Sequence, residues 1–337
     1  MKCGKIFLVV AFLLLFLPGG VLAEQPPDLE VPRTQLRDAI RAQERHTDSL
    51  MLDTNVVGTA VGVGGHGHGV VKIFVKDARI GGLPGVLDGI PVEVEETGEI
   101  VALREKPVEA EPLVHRTSRW VRPVPIGVST GHPDITAGTI GCRVTDGTDV
   151  FALSNNHVYA NSNLADIGDN VLQPGPYDGG VNPGDAIGTL KDFEPINFTG
   201  GDNTIDAAIA ASSTELLGNA TPSDGYGVPN SATTQAVVGL RVMKYGRTTG
   251  LTKGKIAGIN ATINVNYGSP GIARFVKQIV ISPGGFSAGG DSGSLIVVER
   301  GSKARKPVGL LFAGSFFYTF ANPIDLVLNR FGVQIDD

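Results

Sequence analysis

From Asn55 onward, apolar residues come in short runs rather than at helical spacing. Val56–Val63 reads as a strand, and residues 70–75 and 90–94 as two more, each rich in Val and Ile. Ahead of them, residues 33–52 are charged, with Leu36, Ile40 and Leu50 at weak helical spacing, which predicts a surface helix. Between 126 and 332, strand-like runs recur at 138–144, 150–153, 207–211, 236–242, 255–259, 276–281, 294–298 and 308–312. Turn residues separate them, as in a β-sandwich or barrel. Near the end, Asn322-Pro323, the run 324–331 and Gly332 predict a last helix. Asn322 would cap it, Pro323 take its first turn and Gly332 close it. Pro107, Pro112, Pro123 and Pro125 stand among charges in 104–125, a linker composition. The organisation expected is a leader over 1–23, a small α/β module over 33–104, a Pro-rich linker over 105–125 and a β domain over 126–337.

Composition supports this. The chain has 337 residues, 42% of them hydrophobic, and 46 are Gly. That is about twice the usual glycine share of roughly 7%, which suits many tight turns. The leader has Lys2 and Lys5, an apolar run from Ile6 to Leu17, then Pro18-Gly19-Gly20 and Val21-Leu22-Ala23. This is the pattern of a secretory signal, so an exported protein, periplasmic or extracellular and starting at Glu24, is expected. The run is shorter than the roughly 20 residues a spanning helix needs, so no stable membrane insertion is expected once it is removed. An uncleaved anchor is the alternative.

Removing the leader takes away Lys2 and Lys5 and no acid, moving the formal charge from −6 to −8. With no basic stripe, nucleic acid is not an expected partner. Cys3 leaves with the leader and Cys142 remains alone in an apolar run, which predicts a buried, unreactive thiol and no internal disulfide. His66 and His68 alternate with glycines in a predicted hairpin tip and lack a third ligand nearby, so no metal is expected.

The candidate chemistry centres on Gly289-Gly290-Asp291-Ser292-Gly293-Ser294. A serine hydroxyl is a poor nucleophile until a base removes its proton. Glycines before it let the backbone turn so that the amides of Gly290 and Ser292 face a small cavity and hold an oxyanion. Alone, the motif could be an ordinary turn. All six histidines precede Ser292, an order that excludes an α/β-hydrolase. Ser294 also stands where a nucleophile elbow needs Gly, and no His-Glu-x-x-His zinc motif occurs.

His157 follows Phe151-Ala152-Leu153-Ser154-Asn155-Asn156, which places it at a strand end. Asp206 heads the apolar run 207–210, where a carboxylate is costly unless it is bonded. Bonding Nδ1 of His157 would satisfy it and fix the imidazole tautomer. Singly, Asp206 could be a turn or cap residue and His157 a packed core histidine. In the order His–Asp–Ser, the three predict a catalytic triad.

These segments, with spacings of 49 and 86 residues, resemble the trypsin/chymotrypsin superfamily. The segment 244–254, Lys-Tyr-Gly-Arg-Thr-Thr-Gly-Leu-Thr-Lys-Gly, resembles the Gly-x-Thr-Thr-Gly stretch of bacterial streptogrisin and α-lytic-type proteases. Residues 308–314 resemble the strand that flanks the substrate. Residues 56–103 resemble the N-terminal part of bacterial trypsin-like proteins related to plant narrow-leaf proteins.

The resemblance implies an all-β chymotrypsin-like double barrel with a short C-terminal helix, preceded by the small α/β module. The triad would lie between two six-stranded barrels. It implies a serine endopeptidase acting on protein or peptide substrates through an acyl-enzyme, without a cofactor. The alternatives are a weak or inactive protease-like scaffold and an esterase on the same triad. In the superfamily the residue six before the nucleophile, here Phe286, floors the primary specificity pocket, and Gly314 would leave its wall open. Phe286 cannot pair with Arg or Lys, so small or medium apolar residues are expected before the cut. The chain departs from the pattern at Ser294, in lacking disulfides and in lacking an Ile-Val-Gly-Gly terminus. Asp291 is therefore not expected to pair with a newly cut N-terminus.

Overall fold

The computed structural model describes residues 30–79, 81–103 and 116–337. The leader, Arg104 and residues 105–115 of the expected linker lie outside the described residues. Residues 116–125 are fastened to the β domain rather than strung as a linker. Arg116 donates to the carbonyls of Arg247 and Thr248 at 3.4 and 3.2 Å, and the Trp120 amide donates to Gln173 Oε1 at 3.1 Å.

Two β-structures carry the domain. One is a six-stranded antiparallel sheet, ordered Asn170–Leu172, Ala186–Phe193, Ala208–Ser212, Val150–Ser154, Cys142–Thr145, Gln334–Ile335. The other closes on itself. Arg241–Gly246, Gly250–Asn266, Ile272–Ser282, Thr319–Pro323, Pro307–Gly314 and Leu295–Val298 pair in a ring that returns to Arg241–Gly246. The ring is a six-stranded barrel, and closure removes its edges. The strand expected at 236–242 begins only at Arg241, because Gly239, at φ +91°, turns the chain just before it.

Gly250–Asn266 is long enough to serve two structures. Its barrel partners use one stretch, and Gly58 and Val61 of Val56–Val63 pair with Ile263 and Ile259. Gly69–Val75 and Ile90–Glu96 extend the sheet outward. The helix and strands of the 33–104 module are present; they continue the barrel sheet and also keep two small apolar clusters of their own, one around Ala42, Val71 and Leu87 and one around Val56, Ile73 and Val75. Val56–Val63 explains why: seven of its eight residues are buried, so both of its faces need cover. The helix Arg37–Leu50 supplies some of that cover with Ala39, Ala42, Gln43 and Thr47. Its polar members are satisfied inside: Gln43 Nε2 donates to Thr59 Oγ1 at 2.8 Å and Asn260 Nδ2 to Gln43 Oε1 at 2.9 Å.

The last helix is Ile324–Phe331, and Gly332 closes it at φ +65°. Asn322 does not cap it; that side chain is buried elsewhere, as described below. Cys142 is buried, and burial pushes its thiol pKa up. His66 and His68 are exposed at the turn between the first two strands of the module. No helix among the described residues is long and apolar enough to cross a membrane.

A bidentate ion pair joins the two β-structures. Arg247 reaches Asp178 at 2.6 and 2.9 Å, and both side chains are almost fully buried.

Candidate active site

His157 and Asp206 are brought together by strand register. Val150–Ser154 pairs with Ala208–Ser212, with Ser154 opposite Ala208. His157, in the short helix Asn156–Tyr159, leaves the end of one strand where Asp206 enters the other. Asp206 Oδ2 lies 2.6 Å from His157 Nδ1, and Oδ1 accepts the His157 amide at 3.2 Å. Facing a carboxylate, Nδ1 carries the proton, which leaves Nε2 as the acceptor. That Nε2 is buried and has no partner. An orphaned buried nitrogen costs about 1–3 kcal/mol, which marks a position kept for something other than stability.

The closed barrel holds the carboxylate from behind. The Tyr267 hydroxyl donates to Asp206 Oδ2 at 2.8 Å, and its ring meets the His157 imidazole edge-on at 5.8 Å. The Asp206 amide donates to Asn322 Oδ1 at 3.1 Å. Asn322 Nδ2 in turn donates to Gln278 Oε1 at 2.8 Å. This is the work that displaces Asn322 from the expected cap. Sequence reading missed Tyr267, Gln278 and Asn322 as site residues. Removing the hydroxyl in Tyr267→Phe takes a donor from a buried carboxylate. It is expected to cost about 1.5–3 kcal/mol of stability, read as a lower denaturant midpoint at unchanged slope.

Ser292 sits between two glycines in the left-handed region, Gly290 at φ +87° and Gly293 at φ +92°. Gly293 has a second constraint: a Cβ there would lie 2.1 Å from Ser154 Oγ and 2.3 Å from the Thr139 carbonyl. Thr139 ties the turn to the histidine side of the cleft. Its amide donates to the Ser292 carbonyl at 2.8 Å and its hydroxyl to the Gly290 carbonyl at 2.9 Å. Its own carbonyl accepts Ser154 Oγ at 2.8 Å. The Ser292 hydroxyl does not bond His157. It lies 3.2 Å from the carbonyl oxygens of both Leu103 and Phe312.

Asp291, beside the serine, is buried and fully engaged. Lys244 Nζ lies 3.3 Å away, with both side chains at 0% exposure. The amides of Thr248 and Ala288 donate to Asp291 at 2.9 and 3.0 Å, and Thr249 Oγ1 at 2.7 Å. Burial pulls the Lys244 ammonium below the ordinary lysine range, and Asp291 opposes the pull. The cation facing Asp291 is thus a lysine of the same barrel. Ser294 turns its hydroxyl onto the Asp291 carbonyl at 2.6 Å, tightening the same turn.

Of the two amides expected to bind an oxyanion, that of Gly290 holds a carbonyl: it donates to the Leu103 oxygen at 2.8 Å. Gly314 lies directly under the Leu103 side chain, because a Cβ built on it would meet Leu103 Cδ1 at 3.0 Å. Phe286 is buried in the same apolar cluster as Leu103, Ile281 and Leu311. Leu103 carried no chemical signal in the sequence and was not singled out.

A family model described as the Nal1 C-terminal domain matches residues 204–319, a stretch that holds Asp206 and Ser292 but not His157. No curated protein matches this sequence. Among solved structures, the chain is similar to a glutamic-acid-specific serine protease at 21% identity and a TM-score of 0.47, covering 63% of this chain and 100% of that one. It is similar to a Nocardiopsis protease at 16% identity and a TM-score of 0.45, with 64% and 100% covered. It is also similar to the chymotrypsin of Cellulomonas bogoriensis at 19% identity and a TM-score of 0.43, with 63% and 98% covered. With its closed six-stranded barrel, its six-stranded partner sheet and its short final helix, the chain has a chymotrypsin-like fold.

Proposed function

We propose that the chain is an exported serine endopeptidase with His157, Asp206 and Ser292 as its triad. The observation that carries this reading is the buried His157–Asp206 pair, whose remaining nitrogen is left without a partner. Ser292 attacks a peptide carbonyl and its proton passes to Nε2. His157 later gives that proton to the leaving amine. Asp206 holds the imidazole and stabilises its charged form. The Gly290 amide donates to the oxyanion, with Ser292 as the second donor. A donor of this kind contributes about 3–4 kcal/mol to the transition state. Phe286 and Gly314 shape an apolar primary pocket. No step needs a metal or an organic cofactor.

One observation favours a second reading, an inactive scaffold: the Ser292 hydroxyl contacts two backbone carbonyls and not His157. A small fluorophosphonate separates the two, because it reacts only with a serine activated by its base. Prolonged incubation is expected to leave one adduct, located on Ser292 by mass spectrometry. A folded protein without that adduct would favour the scaffold.

A further inference from the structure

The closed barrel carries a cavity of about 260 Å³ beside the residues that support Asp206. Two facing strands open it. Gly250–Asn266 and Ile272–Ser282 lose register between Gly258 and Ile263. Within that stretch Asn260 lies at φ +57° and Lys277 at φ +64°, a left-handed conformation that residues other than glycine rarely adopt. Both residues line the cavity. Bulges and strained residues of this kind collect at ligand and active sites, where they re-aim side chains. The same wall includes Gln278 and Pro323. Gln278 Oε1 accepts Asn322 Nδ2 at 2.8 Å, and Asn322 Oδ1 accepts the Asp206 amide at 3.1 Å. The cavity is therefore two hydrogen bonds away from the backbone of the triad.

The wall selects an occupant by what it has left to offer. Ala236, Ile259, Ile279, Val308, Ile324 and Leu326 make much of it apolar. Its buried polar side chains are already engaged. Gln278 Nε2 donates to the Thr204 carbonyl at 2.9 Å, and Asn260 Nδ2 donates to Gln43 Oε1 at 2.9 Å and to Glu44 Oε1 at 3.1 Å. The acid on the wall, Asp325, accepts the Thr233 hydroxyl at 2.6 Å. Two exposed cations remain. Arg33 spends one nitrogen on Asn260 Oδ1 at 3.1 Å, and neither Arg33 nor Lys277 makes an ion pair among the described residues. A sugar or a nucleotide base needs buried neutral partners, and this wall has few to give. An apolar tail with a single anionic head uses what is free. The tail must be short, since pockets for drug-sized ligands run to roughly 300–1,000 Å³.

We propose that this cavity is an effector site for a short alkyl carboxylate, with its tail on the apolar wall and its head held by Arg33 and Lys277. A guanidinium and an ammonium give a carboxylate charge-assisted hydrogen bonds, the strong kind. Filling the cavity supplies contacts that its lining lacks. Gln278 is then fixed from the cavity side, which keeps Asn322 on the Asp206 amide and the carboxylate square to His157. Occupancy thereby raises the reactivity of Ser292. This effect on the chemistry rests on the peptidase reading above; the binding does not.

Octanoate is the probe, titrated into the full chain by calorimetry, with octanamide and acetate as controls for tail and head alone. One octanoate is expected to bind per chain, octanamide about tenfold more weakly, and acetate not measurably. Lys277→Asn removes the charge and keeps a residue that tolerates the left-handed backbone, so it is expected to weaken octanoate about tenfold. Ala236→Leu fills the cavity and is expected to abolish binding. No binding of octanoate, or equal binding by Lys277→Asn and the unaltered chain, overturns the proposal, the second because it places the ligand elsewhere. Should Ala236→Leu fail to fold, Lys277→Asn decides. Saturating octanoate is expected to speed fluorophosphonate labelling of Ser292 about fivefold in the unaltered chain and not in Lys277→Asn. Binding with an unchanged labelling rate would overturn the effector role. Octanoate bound as expected by a protein whose Ser292 is never labelled would sink the peptidase reading and leave the ligand site standing.

Discussion

Replacing Ser292 or His157 by Ala is expected to lower kcat on a peptide substrate by about 10⁴–10⁶ while the fold survives, because a triad acts as one unit. The two losses are expected to be similar and not additive: once the nucleophile is gone, its base has nothing to deprotonate. Stability is expected to respond differently. Ser292 Oγ has one proton to share between two carbonyl oxygens, each 3.2 Å away, and both of those oxygens keep a backbone donor without it, so its loss is expected to be nearly neutral. His157→Ala leaves the buried Asp206 with Tyr267 and without its principal partner, and is expected to destabilise the protein. Turnover and unfolding midpoints measured on both variants check this. Near-normal turnover by Ser292→Ala would end the assignment.

What could be read from the sequence was what is local. His157, Asp206 and Ser292 each stand in a short segment of recognisable chemistry, and their order along the chain excluded other serine machineries. The recurring Val- and Ile-rich runs gave the β class, and Gly332 the end of the last helix. Residues that reach the site only when the barrel closes were not legible. Tyr267 follows a strand whose partners are set by register, and nothing in its neighbourhood points to Asp206, 61 residues away. Asn322 before Pro323 has the signature of a cap, yet the donor it meets is the Asp206 amide, 116 residues away. The N-terminal region was legible in its elements but not in its attachment. The apolar character of Val56–Val63 says that both faces are buried, but not by what, so the 33–104 segment reads as a small α/β module without a sign that its sheet continues into Gly250–Asn266.

Lys244→Met is expected to destabilise the protein by about 3–5 kcal/mol, the cost of leaving a buried charge without its partner. Lys244 and Asp291 are both wholly buried, and among the described residues Lys244 is the one cation paired with the Asp291 carboxylate. The remaining donors, the amides of Thr248, Thr249 and Ala288 and the Thr249 hydroxyl, stabilise the charge without neutralising it. The effect reaches the chemistry because Asp291 lies between Gly290 and Ser292, and its carbonyl anchors Ser294. A carboxylate that moves in search of solvent turns the Gly290 amide away from the oxyanion, so kcat is expected to fall together with stability. The double variant Lys244→Met/Asp291→Asn discriminates. It removes both charges at nearly constant volume and keeps an acceptor for the Thr248 and Thr249 amides, so it is expected to recover most of the lost stability. Chemical denaturation of the two single variants and the double one measures the coupling. Additive losses would mean that Lys244 acts through its packed stem and its bond to the Gly250 carbonyl rather than through its charge.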